Sequence, residues 1–188
     1  MTARTAAPDD DVIRCEPEVA SVGGQLILRL PEAASAALPS RGQVSVTGTI
    51  DEQPFAVVVE PDGRRGHWIR LSDLPVSLGD LAAGQRVSVT LVPSSEWPEP
   101  GVPDDLRAAL DDAPDLDELW ATITPMARWE WVRWISSTRN AATRAKRVDV
   151  GISKMRDGKR RPCCFDLSAC TDPELARSGK LMADDAAD

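Results

Sequence analysis

The side chains best suited to nucleophilic or metal chemistry in this 188-residue chain are one histidine and four cysteines. His67 follows a glycine-flanked turn, whereas Cys163, Cys164 and Cys170 lie near the C-terminal end. A nucleophilic cysteine needs a nearby base, and zinc ligands come in closely spaced pairs that these cysteines do not form. A redox role for the adjacent cysteines stays open, since the basic run 159–161 precedes them. We expect no catalytic residue, no metal and no other cofactor, with His67 bonded to backbone at the head of a strand.

Charge is distributed unevenly along the chain, which carries a formal net charge of -8. Residues 125–162 hold 11 basic and 3 acidic residues, whereas residues 101–124 hold 1 basic and 7 acidic residues. Such a basic segment either binds an external polyanion or is neutralised by its acidic neighbours. The acidity of the whole chain favours neutralisation within the fold, so a nucleic-acid partner is an alternative that is not favoured.

Aromatic and basic residues alternate in the same region. Four of the six tryptophans, Trp120, Trp129, Trp131 and Trp134, lie within fifteen residues. On helical spacing Trp129 points away from the core beside Arg133, where its indole can form a cation–π pair or stack on a base or a peptide. A tryptophan that covers a seam between the barrel and the helices is the favoured interpretation. The residues that we expect to contact a ligand or partner are His67, Trp129, Arg133, Arg139, Thr143, Arg144 and Arg147.

Residues 24–96 have the two-residue period of β-strands. Val44, Val46 and Ile50 alternate with polar residues, and further strands are predicted over 25–30, 54–60, 67–71 and 85–92. A sheet of about five short strands must protect its edges. The pattern therefore predicts a small antiparallel β-barrel.

The period changes to that of helices after a proline-rich connection that begins at Trp97. Helices are predicted over 104–110 and 115–123, then after an N-cap at Thr124 with Pro125 in the first turn, and from Asn140 to Gly158. The apolar stripe of the last helix contains Ala141, Ala145, Val148, Ile152 and Met155. The expected fold class is α+β, a small antiparallel barrel followed by a C-terminal helical segment.

The two ends of the chain lack periodicity. Residues 1–23 and most of 166–188 are rich in small and acidic residues, and we expect them to be disordered. No apolar stretch approaches the length of a membrane helix, and no basic-then-apolar secretion signal precedes the acidic run at 9–11. We expect a cytoplasmic protein without membrane insertion.

Two short sets of motifs resemble known bacterial families. The run Val46–Phe55 (VTGTIDEQPF), followed by Gly66 and His67, resembles the DUF1905 family of small barrels. Arg128–Glu130 and the later Thr143–Val148 are similar to the YdeI/OmpD-associated family, which is labelled bacteriocin protection. The resemblance implies a DUF1905-like barrel over 24–96 and a YdeI/OmpD-associated-like helical segment over 97–165. It also implies a role in bacteriocin or envelope-stress tolerance, but no reaction.

These observations favour a non-enzymatic binding or interaction protein whose partner is an unknown protein or small molecule. A nucleic-acid-associated protein that uses the basic helix around Arg139 to Arg161 is the first alternative. A small-molecule enzyme with a pocket near His67 is the second.

Overall fold

The computed structural model describes residues 11–74, 81–162 and 171–185. The chain divides into two compact units, of which the first is Met1–Trp97 with Met182–Asp188 and the second is Pro98–Leu181. The first unit is a curled sheet and the second is mainly helical. This arrangement confirms the predicted α+β class.

Seven strands of the described chain form one antiparallel sheet. They are β1 (Ile13–Cys15), β2 (Val19–Val22), β3 (Gln25–Arg29), β4 (Val44–Ile50), β5 (Gln53–Pro61), β6 (His67–Arg70) and β7 (Val89–Pro93). Their order across the sheet is β1-β7-β4-β5-β6-β3-β2. The predicted strands are confirmed, although the ladder of β7 begins later than expected. A short helix that was not predicted, α1 (Glu32–Ala37), connects β3 to β4.

The two outer strands of this sheet belong to one continuous segment of chain. At one edge Ile13 of β1 pairs with Leu91 of β7, and at the other edge Val19 of β2 pairs with Leu28 of β3. Between these pairings the Val19 amide donates to the Gln85 carbonyl at 2.8 Å. One segment therefore pairs with β7 at one end of the series and with β3 at the other, and the sheet curls into a half-barrel.

The barrel interior is filled by alternating aliphatic side chains, and Gly48 allows two of its strands to approach closely. Val46 and Ile50 of β4 are fully buried, as is Leu91 of β7. A Cβ atom at Gly48 would lie 1.8 Å from the Thr90 carbonyl oxygen on β7. No side chain fits there unless the backbone moves.

The second unit contains four helices in the described chain and a small hairpin. The elements are α2 (Asp104–Asp111), α3 (Asp117–Thr122), α4 (Pro125–Ser136), α5 (Ala141–Arg156), β8 (Ala176–Arg177) and β9 (Lys180–Leu181). Both predicted N-caps are confirmed: the Thr124 side chain accepts from the Ala127 amide, and the Asn140 side chain accepts from the Thr143 amide. Each satisfies an amide that the first helical turn leaves unpaired. None of the described helices has the length and apolar character needed to cross a bilayer.

Three sequence-based expectations need correction. Residues 13–22 form strands rather than a disordered terminus: β1 pairs with β7, far along the chain, and β2 pairs with β3, which follows it directly. Residues 171–185 of the expected disordered tail are also ordered: β8 and β9 pair, and Leu175 and Leu181 are buried. On α5, Ala141 and Ala145 are exposed, so the buried stripe begins at Val148. Residues 1–10 and the three C-terminal cysteines lie outside the described residues.

We predict that Gly48→Ala lowers the free energy of unfolding by about 3 kcal/mol, because the new methyl group forces β4 and β7 apart. Gly42→Ala is the matched control, since its Cβ would meet nothing closer than the Ser40 hydroxyl at 3.5 Å. The control should stay within about 0.5 kcal/mol of the wild type in urea unfolding. Equal midpoints for the two variants would contradict the close approach.

Candidate functional site

His67 lies in the core of the barrel unit, at the start of β6, and is 2% exposed. Its Nε2 atom is 3.0 Å from the Gly42 carbonyl oxygen, and its backbone amide donates to the Ser35 hydroxyl at 3.0 Å. Burial is the main cause that lowers the pKa of the imidazole below its ordinary value. The described residues provide no hydrogen-bond partner for its Nδ1 atom. The ring therefore joins β6 to the segment before β4, and the backbone amide of His67 joins β6 to α1.

The cysteine that the structure describes is Cys15, which is partly buried on β1. Burial raises the pKa of its thiol, which keeps the nucleophilic thiolate rare at neutral pH. Over residues 11–74, 81–162 and 171–185, no three histidine, cysteine or acidic side chains are grouped to hold a metal ion.

Trp134 on α4 lies between two cations of α5. The Arg147 guanidinium is 5.8 Å from the centre of its ring system and the Lys154 ammonium is 5.6 Å from it. Arg147 also donates to the Trp134 carbonyl at 2.7 Å and to the Ser137 hydroxyl at 2.8 Å. Trp131 packs edge-on against the same indole at 6.1 Å. These contacts fix α5 against α4.

The other candidate aromatic, Trp129, is half-buried, and its indole donates to the Pro98 carbonyl at 2.7 Å. The preceding Arg128 is bound by the Glu99 carboxylate and by the Trp120 carbonyl. The Trp129 indole is thus held against the proline-rich connection at Pro98, and Trp134 makes the cation–π contacts described above.

Two ion pairs connect the basic helix α5 to the acidic segment before it. Arg144 binds Asp105 of α2 at 2.6 Å, and Arg156 binds Asp115 at 2.8 Å. The hydrogen bonds with Arg144 hold the pKa of the Asp105 carboxyl below its ordinary value, and those with Asp105 raise the pKa of Arg144. The expected neutralisation within the fold is therefore observed at these two arginines.

The remaining candidate residues lie in or beside the turn between α4 and α5. Arg139 and Thr143 are exposed, whereas Arg133 is partly buried on α4. The Thr143 amide is used by the Asn140 cap at 2.9 Å, so its hydroxyl is the group that a ligand would meet. The structure places Arg139 and Thr143 in the helical unit and His67 in the barrel unit.

Glu130 on α4 was missed as a candidate. It is 3% exposed, and both of its carboxylate oxygens accept hydrogen bonds from the Arg161 guanidinium, which raises the pKa of that arginine. Next to it the Trp131 indole donates to the Arg160 carbonyl at 3.2 Å. These contacts hold the chain after α5 against α4. The available signal was a carboxylate between Trp129 and Trp131, since a buried charge requires a partner.

Two family models match the chain in succession. Residues 16–91 match the family described as "Domain of unknown function (DUF1905)", and residues 99–158 match the family described as "Bacteriocin-protection, YdeI or OmpD-Associated". The matches confirm the resemblance of both regions to these two families, in the order that the motifs indicate. No curated protein and no solved structure matches it.

We predict that Arg161→Ala lowers the free energy of unfolding by about 2 kcal/mol, because it leaves the Glu130 carboxylate buried without its cation. The arginine side chain is 59% exposed, so solvent screens part of the effect. Lys159→Ala removes a neighbouring exposed cation and should change stability by less than about 0.5 kcal/mol in the same denaturation experiment. A loss no greater in Arg161→Ala than in this control would refute the role of the pair.

We predict weak binding of nucleic acid, because ion pairs with Asp105 and Asp115 cancel part of the field of α5. Fluorescence anisotropy with duplex DNA or RNA at about 150 mM salt should give a Kd no tighter than about 10⁻⁶ M. Sub-micromolar binding whose Kd rises steeply with added salt, and which Arg144→Glu with Arg147→Glu weakens, would favour a nucleic-acid function instead.

Proposed function

We propose that the protein acts by binding a partner rather than by catalysis, and that this binding supports tolerance of bacteriocins or of envelope stress. The helical unit would carry the binding surface. We define this surface, the α5 N-terminal surface, by the side chains of Arg139, Thr143 and Lys146, all of which are exposed.

The observation that carries the proposal is the internal engagement of His67 and Glu130, two buried side chains of the described chain that could otherwise act as an acid or a base. The His67 ring is buried and bonded to the Gly42 carbonyl. The Glu130 carboxylate is buried and bound by Arg161. A general base must reach the proton that it abstracts, and neither group is presented to a substrate in this conformation.

The composition of the exposed surface favours a polar partner. Among the described residues, Met126 is the large hydrophobic side chain that is exposed, at 39%. An interface without apolar anchors depends on charge and hydrogen bonds, which give specificity and rapid association. Arg139 and Lys146 at the α5 N-terminal surface supply such groups. A partner with an acidic or hydroxyl-rich face suits them.

The physiological part of the proposal is supported by the printed description of the family that residues 99–158 match, which names bacteriocin protection. A binding protein in this role would act by sequestering or stabilising another protein, since neither needs a chemical step. A protein that binds the folded state of its partner raises the apparent stability of that partner by mass action alone.

Survival of a strain that lacks the gene tests the proposal. We expect bacteriocins and polymyxin B to kill this strain at doses at least fourfold lower than its parent. The wild-type gene and His67→Gln should restore tolerance, because the imidazole is structural. Arg139→Glu with Lys146→Glu should not restore it, because the charge of the α5 N-terminal surface is reversed.

A matched control is Arg86→Glu with Arg107→Glu, which makes the same change in charge at two other exposed arginines. It should restore tolerance, and all variants must accumulate to wild-type levels on an immunoblot. Full tolerance with the surface variant, together with loss in a stably folded His67→Gln protein, would support the enzyme hypothesis and contradict ours.

A further inference from the structure

The end of the described chain, Met182–Asp185, which we call the tail, lies on the hairpin formed by β2 and β3. The Asp185 carboxylate accepts from the Ser21 hydroxyl at 2.7 Å and from the Gly23 and Gly24 amides at 3.0 and 2.9 Å. The neighbouring Asp184 carboxylate is bound by Arg29 at 2.6 Å. All of these residues belong to the first compact unit.

The hairpin turn creates a specific anion site. Gly23 and Gly24 have positive φ angles of 58° and 74°, which suit the turn of a two-residue hairpin and are costly for other residues. In this conformation successive backbone N–H groups converge on one point and bind an anion. The turn is fixed by the pairing of Val22 with Gln25, so the site is a property of the barrel.

The contacts with the backbone of the tail indicate that the site recognises a peptide. The Asp185 amide donates to the Ser21 carbonyl at 2.7 Å, and Arg29 donates to the Met182 carbonyl at 2.8 Å. A free inorganic anion makes neither contact. The hairpin thus binds two carboxylates and two backbone groups of the tail at once, as in recognition of an extended peptide beside a strand.

We propose that the β2–β3 hairpin is a binding site for an acidic peptide segment of a partner protein, with two adjacent aspartates, and that the tail occupies this site in cis as a competitor. This site is separate from the α5 N-terminal surface and does not depend on it. The bound tail itself shows the chemistry that a partner must present.

The strength of the tail contacts suits a displaceable occupant. The side-chain contacts of Asp184 and Asp185 are exposed, and solvent weakens exposed ion pairs. A tethered segment competes at an effective concentration on the order of millimolar, so a free peptide at a lower concentration replaces it only if it binds correspondingly more tightly. Loss of the two tail aspartates should therefore open the site.

Fluorescence anisotropy with a labelled, C-terminally amidated peptide of residues 180–185 (KLMADD) tests the proposal on the full chain. We expect Asp184→Ala with Asp185→Ala to bind the peptide at least tenfold more tightly than the wild type does, because its own tail no longer competes. When Arg29→Ala is added to this aspartate variant, its binding of the peptide should weaken at least tenfold. Ser21→Ala, added in the same way, should also weaken binding. Adding Arg86→Ala, an exposed arginine in the same unit, should not change it.

Ser21→Ala removes one hydroxyl without changing the β2 backbone, so it keeps the test decisive if Arg29→Ala fails to fold. The proposal is wrong if wild type and the aspartate variant bind the peptide equally, or if neither binds at about 1 mM. It is also wrong if a peptide with both aspartates changed to asparagine binds as well, or if millimolar phosphate displaces the peptide fully. Wild-type dimerisation that Asp185→Ala abolishes would assign the site to a second copy of this chain and overturn it.

Discussion

Strand pairing at the two edges of the sheet is the constraint on which the barrel depends. An open sheet presents a row of unpaired N–H and C=O groups at each edge, and these are a template for aggregation. The segment Ile13–Val22 pairs with β7 along its first half and with β3 along its second half. With both edges satisfied, the aliphatic side chains of β4 and β7 can form one enclosed core, and a glycine at position 48 permits the close approach that this core needs.

Electrostatic pairing has a different role in the helical unit. Exposed pairs such as Arg156 with Asp115 contribute little to stability, yet they reduce the positive field around α5. The pair of Glu130 with Arg161 differs because its carboxylate is buried, where an unpaired charge is costly. Two further cations of α5, Arg147 and Lys154, pack against the Trp134 indole. Several residues that suggest a polyanion site by their charge are thus engaged in contacts within the helical unit.

The two proposed binding surfaces differ in how well they are organised before a ligand arrives. The α5 N-terminal surface presents long side chains such as Arg139, which lose rotamer freedom on binding. The β2–β3 hairpin presents the backbone amides of Gly23 and Gly24, which are already fixed. A preorganised site loses less entropy per contact. Short acidic segments can therefore be recognised by the hairpin with few contacts, whereas the helical surface needs a larger polar partner.

The sequence by itself determined those features that depend on residues a few positions apart. The two-residue period predicted the strands that contain Val46 and Val57, and both valines are buried. The side chains of Thr124 and Asn140 predicted where α4 and α5 begin, because a cap acts on an amide three residues away. Short motifs were also enough to identify both families.

Only the tertiary structure decided which charges and edges meet across long separations in sequence. Residues 13–19 alternate apolar with charged side chains, but only the folded chain shows that β1 pairs with β7, far along the sequence. The Ser21 hydroxyl donates to Asp185, which lies 164 residues further along the sequence, and Glu130 binds Arg161, which lies 31 residues further along. Local propensity carries no information on such contacts, because their geometry exists only after the chain has folded.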